Sequence, residues 1–372
     1  RETGIFVMGI GEKKTPKPAV QGSRKRHSPD RIYPFTAIVG QEVLKRALLL
    51  NVVNPQIGGV LIRGEKGTGK SIAVRALQDI LPKMDVTGCK FNCRPTDKRE
   101  KLCNECKLKH EKGELKATKT DMNVCDLPLN ITEDRLVGAI DIERVLKEGV
   151  EAFEPGILAE AHRNILYVDE INLLEDNVVD VLLDAAAMGM VTIEREGISL
   201  NYPSQFVIIG SMNPEEGELR PQLLDRLALQ AEVKGIKDVD KRVEIIKRSR
   251  EFQEDPALFR EKWEPAQNEL RKRILEAMTR LPNIKTSMKI VELITRLGID
   301  FNIDGHRGDI IIERSARTNA ALEGRGETTV EDVVLAAEMA LPHRMRKQPF
   351  EEEAFSAEML RKIVRKYGED IA

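Results

Sequence analysis

Over the first two thirds of the chain, short apolar runs alternate with amphipathic stretches. GGVLIRG (58–64), NILYVDE (164–170) and QFVIIGSMN (205–213) are short and bounded by glycine or polar residues, so they read as buried strands. EVLKRALLLNVV, SIAVRALQDIL and VVDVLLDAAAMG (178–189) carry apolar residues at helical spacing. Buried strands separated by helices imply an α/β fold with a parallel sheet covered on both faces. GMVTIEREGISLNYP (189–203) departs from this rhythm: two alternating stretches around EREG predict a β-hairpin inserted ahead of a core strand. Beyond about residue 235 every apolar pattern has the helical period, and TTVED offers a threonine cap with acids in the first turn.

These patterns divide the chain into a mobile basic tail (1–30), an α/β domain (31–235), and a linker helix with a helical domain (236–372). Residues 83–128 are polar, cysteine-bearing and without apolar period, and read as an irregular insertion in the α/β domain.

Charge changes the picture mainly by exclusion. Of 372 residues 32% are charged, yet the formal net charge is only −2, which gives no global electrostatic case for nucleic acid or an anionic membrane. No apolar run approaches the ~18 residues of a spanning helix. With no leader-like pattern at its start, the chain reads as cytoplasmic. In that reducing setting clustered cysteines favour metal or redox chemistry over structural disulfides.

GEKGTGKS (64–71) matches G-x-x-x-x-G-K-[ST] between a predicted strand and a predicted helix, the context that a phosphate-binding P-loop requires. Gly64, Gly67 and Gly69 let the backbone turn its N–H groups inward, with Thr68 between them. Lys70 reaches the β and γ phosphates of ATP, and Ser71 offers a hydroxyl to Mg²⁺. The second half of the site is ILYVDE, whose apolar residues set Asp169 and Glu170 at the carboxyl end of a strand. Asp169 suits the Mg²⁺ shell, and Glu170 suits the orientation and deprotonation of an attacking water. Asn213, ending the next strand, either positions that water or forms the turn before Pro214. LRPQLLDRL presents Arg220 and Arg226, and spacing assigns neither as an arginine finger.

With these motifs in hand, GEKGTGKS, YVDEINLL, GSMNPEEGELRPQLLDR and GHRGDIIIERSARTNAALEGR together resemble an AAA+ ATPase of the magnesium chelatase I-subunit family. The similarity covers about residues 31–350, apart from the cysteine segment. It implies an AAA+ P-loop core with a helical lid and ATP bound between subunits of a hexameric ring. It also implies two partners, a second AAA+ subunit with an integrin-like domain and a large porphyrin-binding subunit, and a reaction in which hydrolysis drives Mg²⁺ into protoporphyrin IX. By the family pattern Arg226 is the arginine finger, Arg307 the lid sensor of the γ-phosphate, and Asn213 the sensor beside the water. The 189–203 hairpin and the stretch 136–162 are its two insertions. Related ATPases serve cobalt chelatases or remodel metalloenzymes. A nucleic-acid motor shares the core, but Glu194 and Glu196 flank Arg195 at the hairpin tip, where a DNA-tracking hairpin would carry net positive charge.

The family's usual connection is short and free of cysteine. Here Cys89, Cys93, Cys103 and Cys106 follow C-x3-C-x9-C-x2-C, two chelating pairs that suit Zn²⁺ or an iron–sulfur cluster. Free or redox-active thiols are the third reading. Cys125 is a substitute ligand, and His110 a poorer one.

Overall fold

The computed structural model describes residues 31–140, 153–195, 198–303, 305–345 and 355–368. The expected basic tail, the middle of the 136–162 insertion and Glu196 lie outside the described residues.

Five short strands form the central sheet: β1 (Val60–Gly64), β2 (Val124–Leu127), β3 (Ile165–Val168), β4 (Val207–Met212) and β5 (Leu229–Val233). They run parallel in the order β5-β1-β4-β3-β2. Alternation sorts their side chains onto two faces. Val60, Ile62, Ile165, Tyr167, Val207 and Ile209 join one core, while Leu61, Leu166, Val168 and Ile208 join the other.

The helices named below are α1 (Glu42–Val53), α2 (Lys70–Ala76), α3 (Asn104–Glu111), α4 (Asp176–Met188), α5 (Pro221–Arg226), α6 (Val239–Glu254), α7 (Pro256–Arg280), α8 (Met288–Asp300), α9 (Arg307–Leu322), α10 (Val330–Ala340) and α11 (Ala357–Gly368). The first face of the sheet shares a continuous core with α1 and the C-terminal helices, among them Leu293, Ile312, Ala336 and Leu360. Within that lid Asp332 is fully buried. It accepts from the Thr329 backbone N–H (2.8 Å), caps α10 with Thr329, and binds Arg325 through both oxygens at 2.6 Å. The predicted threonine cap is therefore part of a partly exposed charge network centred on one buried carboxylate.

Helix α9 runs antiparallel along α1. Arg314 reaches the Gln56 carbonyl (2.7 Å), Thr318 pairs with Asn54 (3.1 Å), and Asn319 pairs with Arg46 (3.0 Å). Position falls along one helix as it rises along the other. Helix α9 therefore starts beyond the end of α1, beside the N-terminal end of β1.

The expected hairpin is formed by Met190–Arg195 and Ile198–Pro203. The stretch 83–128 is more ordered than its polarity suggests. Lys83–Val86 pairs antiparallel with Thr118–Asp121, α3 lies between them, and the last residues form β2, an edge strand of the main sheet. A four-residue strand read against a polar background gives too little periodicity to be seen beforehand, whereas β5, LQAEV, does alternate but over five residues only.

Candidate active site

At the end of β1 the chain needs glycine for two different reasons. A Cβ on Gly64 would lie 2.2 Å from the Val233 carbonyl oxygen of the neighbouring strand, so close backbone approach demands glycine there. Gly67 and Gly69 have φ of 79° and 81°, the left-handed values that turn the loop's N–H groups inward. Gln41, itself at φ 56°, donates to the Thr68 carbonyl at 2.6 Å and ties the loop to the start of α1.

Lys70 is buried inside this loop, where its ammonium donates to the carbonyls of Gly64 and of Glu65, the latter at 2.9 Å. Burial pulls its pKa below the ordinary lysine range, despite the nearby Asp169 and Glu170. Ser71, one residue on, donates to Asp169 Oδ2 at 3.2 Å. This hydroxyl and carboxylate, converging from β1–α2 and from β3, are the oxygen donors that a magnesium ion takes.

Asp169 is gripped from its other side. Ser211 donates to its Oδ1, and the Tyr167 hydroxyl lies 3.0 Å from the same oxygen. Burial tends to raise the carboxyl, but the bonds from Ser211, Tyr167 and Ser71 outweigh it and hold the group below the ordinary carboxylate range. Burial also pushes the Tyr167 phenol up to about 12, so it stays a donor. Glu170 sits at φ 53°, a left-handed conformation rare outside glycine and often found at functional sites. Its backbone N–H donates to Ser211 Oγ (3.2 Å), and its carboxylate lies 3.5 Å from the ammonium of Lys66, which also pairs with Glu216 at 2.6 Å. Asn213 follows β4, the strand between β1 and β3, and so ends between the loop and the two acids. Its side chain accepts from the Glu215 N–H at 3.3 Å, the turn-forming contact.

The arginines lie elsewhere. The Arg226 carbonyl is beside Gly58, ahead of β1. Arg307 is the first residue of α9 and binds Asp225 at 2.5 Å. Both therefore sit near the N-terminal end of β1, a strand of ~13 Å at ~3.3 Å per residue away from their own chain's phosphate loop. Arg220 is occupied by Asp176 and Asp180 of α4.

A family model described as magnesium chelatase, subunit ChlI, matches residues 143–220, and one described as AAA lid domain matches residues 291–363. The magnesium-chelatase subunit ChlI homolog of Methanocaldococcus jannaschii is 54% identical over 90% of this chain and 92% of its own length. The chain belongs to the magnesium chelatase I-subunit family of AAA+ ATPases. The magnesium-chelatase subunit ChlI of Cyanophora paradoxa is 51% identical, over 86% of this chain and 93% of its own. A putative ATPase from Cytophaga hutchinsonii shares the fold at 16% identity, with a TM-score of 0.57 over 89% of this chain and 90% of that one.

Against this family core the four clustered cysteines come together at the opposite end of the sheet from the phosphate loop. Their Sγ atoms all lie within 4.8 Å of one another, and all four residues are buried. Cys125 sits apart on β2, and His110 on α3 is outside the cluster. Crowding splits the thiols' acidity. Hydrogen bonds from Cys103 and Cys93 hold Cys89 well below the ordinary thiol range, while Cys93 is pushed far above it and Cys103 up to about 12. Arg163, just ahead of β3, donates to the carbonyls of Asp85 (2.8 Å) and Asn92 (3.2 Å) and pins the insertion to the N-terminal edge of the sheet.

Sequence reasoning overlooked Ser211, Tyr167, Lys66, Gln41 and Asp225. The first two had a signal, since a hydroxyl inside a wholly buried strand needs a polar partner. Asp225 and Lys66 had none, because their partners come from distant parts of the chain.

Proposed function

We propose that this chain is the ATP-hydrolysing motor subunit of a magnesium chelatase, coupling hydrolysis to insertion of Mg²⁺ into protoporphyrin IX held by a partner. The observation that carries the reading is the convergence of Ser71 and Asp169, 3.2 Å apart, beside an ammonium buried in the phosphate loop. When ATP binds, the N–H groups of the loop and Lys70 take its phosphate oxygens, and Ser71 and Asp169 hold the accompanying Mg²⁺. Held there, the ion would supply charge neutralisation to the transferring phosphoryl group. Glu170, aimed by its left-handed backbone and by Lys66, orients and deprotonates the attacking water, with Asn213 beside it. Arg226 and Arg307 act on the ATP of a neighbouring copy in a hexameric ring, a reading supported by their distance from their own loop.

The partners are a second AAA+ subunit with an integrin-like domain and a large porphyrin-binding subunit. No membrane or nucleic acid takes part, and among the described residues no helix is long and apolar enough to cross a membrane. The four clustered thiols form a metal centre, Zn²⁺ or an iron–sulfur cluster, which suits a reducing compartment such as the cytoplasm.

The test is reconstitution. Mg²⁺-dependent ATP hydrolysis by the chain alone, and ATP-dependent formation of fluorescent magnesium porphyrin once partner subunits are added, are the expected results. Hydrolysis with no porphyrin metallation by any partner set would defeat the chelatase assignment while leaving the ATPase intact.

A further inference from the structure

The insertion bearing Cys89, Cys93, Cys103 and Cys106 has almost no apolar core of its own. Its buried cluster is those four cysteines and Leu102, with Phe91 and Leu115 packed partly against it. Something other than hydrophobic burial must therefore order the segment, and a structural metal is the usual substitute in so small a unit. Resting on the reading that these thiols hold metal, we infer that they form a mononuclear tetrathiolate Zn²⁺ site, whose role is to brace the hairpin 190–203 and not to catalyse.

The spacing of the sulfurs decides between the candidate metals. Four thiolates at Zn–S of ~2.3 Å form a tetrahedron with edges of about 3.8 Å. Here all pairs fall within 4.8 Å, a slightly loose version of that figure. In an iron–sulfur cluster, thiolates on different irons are held apart by the irons and sulfides between them, so some pairs must be wider than those on one ion. Compactness of every pair therefore favours a single ion.

Local chemistry agrees. The Cys93 N–H points at Cys89 Sγ (3.4 Å), the Cys103 N–H at Cys93 Sγ (3.3 Å), and Thr87 Oγ1 lies 3.1 Å from Cys106 Sγ. Such contacts orient thiolate ligands and offset their charge. Cys103 is the N-cap residue of α3, with no capping bond from its side chain, and Cys106 lies in the first turn, so two of the four ligands are carried by the N-terminal end of an eight-residue helix. Asn92 at φ 50° and Gly88 at φ 73° fold the first pair into a tight turn.

That turn is where the bracing occurs. Phe91, between the first two cysteines, stacks on Tyr202 with ring centres 5.2 Å apart and on Phe153 at 6.0 Å. Tyr202 belongs to the hairpin and donates to the Val137 carbonyl at 2.5 Å. A metal that fixes Cys89 and Cys93 thus fixes Phe91 against the base of the hairpin.

The full chain, purified anaerobically without chelator, should carry about one zinc per chain by mass spectrometric metal analysis, with no visible absorbance. Reconstitution with Co²⁺ should give the intense visible bands of a tetrahedral tetrathiolate, a readout that needs no mutation. Cys103→Ser with Cys106→Ser should abolish zinc retention and open residues 83–121 and the 190–203 hairpin to protease. Phe91→Ala should keep the zinc but open the hairpin alone. Basal ATP hydrolysis should stay within a few-fold in both. Metal-free protein would overturn the metal reading itself. Bound iron, with or without acid-labile sulfide, would overturn zinc while leaving a metal centre in place. A hairpin equally protected in the Phe91→Ala protein would overturn the bracing role.

Discussion

Arg307 and Asp225 form a 2.5 Å ion pair that fastens the first residue of the lid helix α9 to the residue beside Arg226. The pair unites two arginines from distant parts of the chain in one patch, removed from the phosphate loop of the same molecule. Arg226→Ala and Arg307→Ala should each lower hydrolysis ~10³-fold, as for a trans arginine finger. Mixing either inactive variant with inactive Lys70→Ala should restore part of the activity, because some interfaces then hold both intact residues. Continued inactivity in rings shown to be mixed would argue for action within one chain.

Glu170→Gln removes the base while Asp169 and Ser71 remain, so ATP should still bind and turnover should fall at least ~10²-fold. Lys70→Ala should instead weaken nucleotide binding. Titration with a fluorescent ATP analogue separates the two, and near-normal turnover by Glu170→Gln would rule out its role as base.

Ser211 is the residue that most directly sets the state of Asp169. Ser211→Ala deletes one donor to the carboxylate and one acceptor for the Glu170 N–H, together worth roughly 1–3 kcal/mol. The Asp169 pKa should rise toward the ordinary carboxylate value. The acid limb of the pH–rate profile should move upward, and more free Mg²⁺ should be needed for half-maximal hydrolysis. An unchanged Mg²⁺ titration would mean that Asp169 is held by other contacts.

Asp332→Ala would leave Arg325 and the start of α10 without their shared partner and should destabilise the lid by roughly 3 kcal/mol. Burial tends to raise the Asp332 carboxyl, yet the bonds from Arg325, Thr329 and Asn319 lower it overall. Its contribution is thus present above the unfolded carboxylate pKa and is lost as pH falls through the lower folded value. Thermal denaturation of both proteins at neutral and acid pH should show the gap between them narrowing in acid.

His162 offers a separate pH test. It is buried, accepts the Gln205 N–H on Nδ1 at 2.9 Å, and burial lowers its pKa to about 4. A histidine lowered from 6.5 is neutral when folded, so stability is full above pH 6.5 and declines as pH falls toward 4, by at most roughly 3 kcal/mol. His162→Gln should lose that component. Equal acid sensitivity in variant and wild type, measured by urea unfolding, would remove His162 from the account.

The motifs that needed only local geometry were legible in the sequence. The phosphate loop, Asp169–Glu170 and the 189–203 hairpin all follow from a few adjacent residues, and each is found as a local unit. Strand β2 was missed because four residues beside a polar insertion carry no period, and the order β5-β1-β4-β3-β2 depends on crossovers that no single stretch encodes. Spacing brought the four cysteines together correctly, since two chelating pairs need little else. The position of Arg307 was not legible, because it depends on the antiparallel packing of α9 along α1 through Arg314, Thr318 and Asn319.

The antiparallel pairing of Lys83–Val86 with Thr118–Asp121 makes the cysteine segment a self-closing excursion. The chain leaves and returns at neighbouring points, ahead of a strand at the sheet's edge. Residues 87–117 are in effect a cassette. Its length is nearly free to vary, because closing a longer loop costs only about 0.6 kcal/mol per doubling. Splicing a two-residue turn between Val86 and Thr118 should leave the ATPase engine assembled. The same doorway would accept a different module, which makes it the natural place to graft a new docking element onto this motor.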